Sequence, residues 1–95
     1  MIHIIIPFTV KTESLETVKA LLSKFISAIK KNEPGTLLYK SFQQTDVPAK
    51  FIHFMTFADR AEETHRATKH CKEFVEALYP LCIELPKSSS FNEII

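Results

Sequence analysis

Apolar and polar positions along the chain change period four times, and each change marks an element. From Ile2 to Thr9 the chain is almost continuously apolar, with Ile2, Ile4, Ile6 and Phe8 on one face of a strand and His3 and Ile5 on the other. β-Branched residues on both faces predict a central strand, and Pro7, which lacks an N–H, predicts interrupted pairing on one side. From Ser14 to about Lys31 the spacing becomes three and four, with Leu15, Val18, Leu22, Phe25 and Ile29 as the apolar stripe of a helix. Thr12 or Ser14 is the expected cap, and Lys30 and Lys31 suit the negative helix end. Asn32-Glu33-Pro34-Gly35 ends the helix and turns the chain, with Gly35 supplying conformational freedom.

Thr36–Gln43 alternates as a second, more polar strand, which predicts an edge. After a hairpin at Thr45–Ala49, a third strand places Phe51, His53, Met55 and Phe57 on one face and Ile52, Phe54 and Thr56 on the other. Asp59 followed by Glu62 reads as a capping box opening a second helix, with Ala61, Thr64, His65 and Thr68 facing inward and Glu62 pairing with Arg66 outside. A single helix leaves His70 opposite Ala61. A break at Thr68 instead gives a second segment with Cys71, Phe74, Val75 and Leu78 as its stripe, and buries more apolar surface. Leu81, Ile83 and Leu85 are expected to pack before Pro86, and Phe91–Ile95 to form a short last strand. The order β-α-β-β-α-β predicts an α+β, ferredoxin-like domain spanning residues 1–95, with a four-stranded antiparallel sheet.

Two-faced apolar strands add a further expectation. Two helices cover one sheet face only, so the other requires a second copy of the chain, and a homodimer with sheets packed face to face follows. A domain of 95 residues buries little more than about 60% of its unfolded surface, which makes support from a partner useful.

Composition narrows the chemistry. Twelve basic and eleven acidic residues leave a net charge of +1, so neither nucleic acid nor an anionic membrane is an expected partner. The opening MIHIIIPFTVK fits neither a signal peptide nor a membrane span, and a cytoplasmic protein with Cys71 and Cys82 as reduced core thiols is expected. One glycine excludes a P-loop and a GxGxxG fingerprint. His65 and His70 are five apart, not the three or four of helical metal ligands, and no motif marks a nucleophile, so no metal site is expected.

The opening strand, Pro34-Gly35 followed by Tyr39, the run Phe57-Ala58-Asp59-Arg60-Ala61, then His65, Thr68, His70, Phe74, Leu78 and Pro80 resemble the antibiotic biosynthesis monooxygenase domain. That domain is a branch of the dimeric α+β barrel superfamily that includes quinol monooxygenases. The resemblance implies a barrel built from the sheets of two subunits, with a pocket in each between sheet and helices. It also implies oxidation of a small aromatic or quinol by O₂ without metal or flavin. Where the pattern often carries a strand-end Trp preceded by Glu, this chain has Phe57 and Met55, and without any Trp it lacks the Asn/Trp/His set of haem-degrading relatives.

Such chemistry needs a base, an orienting donor and a dry pocket. His65 is the candidate base because imidazole titrates near neutrality and this one borders the inward helix face; the competing reading is a hydrogen-bonded structural histidine. Tyr39 and His53, on neighbouring strands, are candidates to orient a phenolic oxygen. Phe51 and Phe57 are candidate pocket wall, and Thr68 and His70 complete the predicted substrate contacts, His70 as a second acid/base or a capping residue. The alternative function is a non-catalytic dimeric α+β barrel that binds a small apolar ligand, in a stress-related or accessory role.

Overall fold

The computed structural model describes residues 1–95 and contains β1 (Ile2–Val10), α1 (Leu15–Asn32), β2 (Thr36–Gln43), β3 (Lys50–Phe57), α2 (Ala61–Ala67), α3 (Lys69–Leu78), β4 (Cys82–Glu84) and β5 (Ser89–Phe91), with 3₁₀ turns at Thr12–Ser14 and Tyr79–Leu81. All strand pairings are antiparallel, in the order β2-β3-β1-β4, with β5 also paired to β1. This is the ferredoxin-like arrangement, its fourth strand divided into two short pieces. β1 is central and β2 is an edge, as the apolar pattern requires. On its β3 side β1 pairs without a break through Pro7, opposite Ile52. On the other side β5 holds His3–Ile5 and β4 holds Thr9–Val10, so the gap falls where proline has no N–H to give.

The helices lie on the face formed by Ile4, Phe8, Phe51, His53, Met55 and Phe57, all buried. α1 contributes Val18, Leu22, Phe25 and Ile29, and α3 contributes Phe74 and Leu78, to the same core. Each such apolar side chain taken from water stabilises the fold by about 1.5–3 kcal/mol. The other sheet face has no helix over it. It presents Leu38 and Phe42 from β2, the latter 50% exposed, Ile52 and Phe54 from β3, and Phe91 from β5, 52% exposed. Phe42 and Phe54 meet edge to face there, with ring centroids 5.5 Å apart.

Four local expectations are corrected. Neither Thr12 nor Ser14 caps α1 through its side chain, because the 3₁₀ turn closes on backbone bonds instead. Asp59 does not cap α2: the turn after β3 closes through Ala61 N to Ala58 O at 2.9 Å and puts Arg60 in the left-handed region at φ 66°, leaving Asp59 outside beside the N-terminal ammonium. Ile83 and Leu85 are exposed rather than packed, since Ile83 lies in the short β4 and Leu85 just after it, at the margin of the domain. The last strand ends at Phe91 rather than starting there.

Gly35 earns its place differently from the expectation as well. It does not adopt positive φ. A Cβ at this position would stand 2.7 Å from the Cβ of Ala61, so glycine is needed for the close approach of α2 to the end of α1.

Candidate functional site

The α1–β2 turn and the start of α2 touch at Gly35 and Ala61, and this contact brings Glu33 under His65, one helical turn beyond Ala61. Glu33 Oε1 lies 2.7 Å from His65 Nδ1, and both side chains are almost wholly buried. Thr36 Oγ1 donates to the same carboxylate oxygen at 2.7 Å. The break expected at Thr68 is present: its backbone is extended, its hydroxyl accepts from Cys71 N at 3.2 Å, and α3 starts afresh. That break swings His70 round, so that its Nε2 bonds Glu33 Oε2. A buried carboxylate without partners is costly, and here two imidazoles and a hydroxyl satisfy it. Burial works to raise the Glu33 pKa, but the hydrogen bonds from His70, Thr36 and His65 outweigh it and hold the carboxyl below its usual range.

Against His65 packs a second polar pair. Tyr39 and His53 share the inward face of β2 and β3, and Tyr39 Oη is 2.8 Å from His53 Nδ1. Burial, with the nearby His65 adding to it, pushes His53 down to about 4, so the ring is neutral near pH 7. Burial also pushes the Tyr39 phenol up, helped by Cys71 and Glu33, and keeps it protonated. His53 Nε2 is buried and has no hydrogen-bond partner.

The Tyr39 and His65 rings are neighbours, with centroids 5.7 Å apart, and both border a cavity of about 180 Å³, lined by Tyr39, His53, Met55, Phe57, His65, Cys71 and Phe74 among 17 residues, 11 of them hydrophobic. Glu62 and Arg66, joined at 2.6 Å, belong to the same lining. A dry apolar cavity of ~150 Å³ suffices for benzene, so this one fits a single aromatic ring. Phe25 stacks on Phe74 at 4.1 Å and closes the helix side.

Of the residues singled out in the sequence, Tyr39, His53, Phe57 and His65 line this cavity. Phe51, Thr68 and His70 do not: Phe51 stacks on Phe8 at 5.5 Å, Thr68 donates its hydroxyl to His65 O at 2.8 Å, and His70 stands behind Glu33. His65 Nδ1 and His70 Nε2 each bond one oxygen of Glu33, and no group of three such side chains is arranged for a metal ion. Glu33 escaped the sequence reading. Its one signal was electrostatic, a carboxylate at the negative end of α1, where lysine is the favoured neighbour.

The family model for antibiotic biosynthesis monooxygenase matches residues 1–77. This chain belongs to that family. The matched span holds the Glu33–His65–His70 cluster, the Tyr39–His53 pair and nearly all of α3. Solved structures agree in fold. An antibiotic biosynthesis monooxygenase, 22% identical, superposes with a TM-score of 0.91 over 100% of both chains. A protein of Nitrosomonas europaea provisionally given the same name, 19% identical, does so at 0.90 over 98% of this chain and 89% of its own. One from Caulobacter crescentus, 17% identical, gives 0.90 over 99% and 90%. No curated protein matches the sequence. At these identities the monooxygenase structures establish the fold, and the chemistry rests on the residues described above.

Proposed function

We propose that this chain is a monooxygenase that oxidises a one-ring phenol or hydroquinone with O₂, His65 acting as the base. The observation that carries this reading is the buried Glu33–His65 pair at the wall of an apolar cavity of ring size. With Nδ1–H donated to Glu33, His65 keeps its Nε2 lone pair for a substrate hydroxyl, and the carboxylate offsets the imidazolium that forms. The neutral His53 and protonated Tyr39 supply donors and acceptors for a second ring oxygen. Removal of the phenolic proton leaves an electron-rich anion that itself reduces O₂. For a hydroquinone one oxygen atom enters the ring, the other leaves as water, and the ring ends as a hydroxyquinone, so every electron comes from the substrate and neither metal nor flavin is required by the balance.

Phe57 is wall in this reading, Phe51 packs on Phe8 away from the cavity, and Thr68 and His70 hold His65 and Glu33 in place. The bare sheet face, with Leu38, Phe42, Phe54 and Phe91, supports a homodimer packed sheet to sheet. A cytoplasmic setting is part of the reading and accords with two free thiols. No helix is long and apolar enough to cross a membrane.

Oxygen uptake with a panel of one-ring hydroquinones tests the proposal. Uptake that falls by about 10²-fold or more in His65→Ala, in line with general-base contributions, is the expected result. Tight binding of apolar rings with no uptake across the panel would overturn it in favour of a non-catalytic ligand carrier.

A further inference from the structure

The wall that carries His65 also carries a thiol. Cys71, in the first turn of α3, lines the cavity, and its Sγ is 3.9 Å from His65 Nε2. Since His65 Nδ1 is held by Glu33 at 2.7 Å, thiol, imidazole and carboxylate form one chain that opens on the cavity. A separate feature marks that cavity as a ligand site: His53, 3% exposed, lines it and has its Nε2 unpartnered. The other thiol, Cys82, bonds the Leu78 carbonyl at 3.5 Å and has no imidazole beside it.

We infer that Cys71 is a covalent capture site for small quinones that occupy this cavity. The inference rests on the proposed oxidation, whose product is a quinone, and adds a means by which the site limits itself. A hydroquinone brings an acidic proton, and His65 Nε2 is engaged by it. A quinone without a ring hydroxyl, such as the product of a simple phenol, brings none, so the same nitrogen faces the thiol instead. His65 takes the Sγ proton as sulfur attacks a ring carbon conjugated to a carbonyl. The C–S bond forms, the ring π electrons move onto the carbonyl oxygen, and that oxygen receives the proton back from His65. Transfer of the displaced ring proton to the second carbonyl oxygen restores the aromatic ring as a hydroquinone thioether. All atoms of thiol and quinone remain in the adduct, and no further oxidant or reductant enters.

Burial, reinforced by Glu33, pushes the Cys71 thiol up, so it stays protonated until His65 acts on it. This separates it from an ordinary reactive surface cysteine. The filled cavity then excludes further substrate.

The test treats the full chain with 1,4-benzoquinone at one equivalent and follows intact mass, peptide mapping and rate. The expected result is one adduct on Cys71, formed at a rate that saturates with quinone and is slowed by excess phenol, with Cys71→Ser left unmodified on that timescale. His65→Gln should slow the reaction by about tenfold or more, the low end of a general-base effect. Modification of Cys82 at an equal rate, or a rate linear in quinone and indifferent to phenol, would overturn the inference; both readouts use the parent protein and do not depend on folding of the variant. Oxygen uptake with hydroquinone on the same sample separates the two claims. Selective Cys71 capture without uptake removes the oxidation and keeps the capture site, and uptake without selective capture does the reverse.

Discussion

Glu33 Oε1 and His65 Nδ1 stand 2.7 Å apart although 32 positions separate them in the chain. The carboxylate determines which imidazole nitrogen carries hydrogen and which is left as a base. Glu33→Gln keeps the shape and removes the charge that offsets the imidazolium. We expect kcat/KM for hydroquinone oxidation to fall by about 10²-fold, the scale of a general-base contribution. The deficit should narrow at pH values where the substrate ionises unaided, because the base is then not needed. A deficit independent of pH would show Glu33 to be structural only.

His53 makes folding stability depend on pH. Its pKa is about 4 in the folded chain against 6.5 as an ordinary histidine, so between these values the unfolded chain binds more protons. Stability is therefore full above 6.5 and falls as the pH drops towards 4, by about 3 kcal/mol. Glu33 acts in the same sense further down: its contribution is present above its ordinary 4.5 and is lost as the pH falls through its lowered folded value. Urea unfolding at a series of pH values should show the first slope in the parent and a much smaller one in His53→Gln. Equal slopes in the two proteins would remove the assignment.

Gly35→Ala places a Cβ 2.7 Å from that of Ala61. α2 must then move away from the end of α1, carrying His65 off Glu33. We expect a loss of about 1–3 kcal/mol, the usual cost of overpacking, together with a loss of oxygenase activity. The double variant Gly35→Ala/Ala61→Gly should recover most of both, since it restores one missing methyl across the contact. Absence of recovery would mean that Gly35 serves the backbone rather than the contact.

The uncovered sheet face predicts a dimer that depends on Phe54. Phe54→Glu places a charge in the centre of that face while leaving the helix side untouched. Sedimentation velocity should give a dimer for the parent and a monomer with unchanged circular dichroism for the variant. A parent that sediments as a monomer would remove the sheet-to-sheet arrangement.

Local patterns carried the fold far because period and burial are nearly the same statement in a small domain. The alternation of Phe51, His53, Met55 and Phe57 becomes the buried face of β3, and the stripe Val18, Leu22, Phe25 and Ile29 becomes the buried face of α1. The break at Thr68 was legible too, since one unbroken helix would strand Cys71, Phe74 and Leu78 away from the core. Where the pattern misled, a backbone contact competed with it. Asp59 had the chemistry of a cap, but the turn at Arg60 left it outside.

The site divides the same way. By itself the sequence determined the element order, the family resemblance and a short set of polar candidates, because periodicity and residue type act over a few neighbouring positions. Only the tertiary structure decided that Tyr39, His53, Phe57 and His65 share one cavity and that Phe51, Thr68 and His70 stand outside its lining. Only it revealed Glu33, whose two histidine partners come from 32 and 37 positions away. Hydrogen bonds reach about 3 Å in space and carry no trace of chain distance, so a carboxylate at a helix end reads as a turn residue until the fold brings two histidines to it.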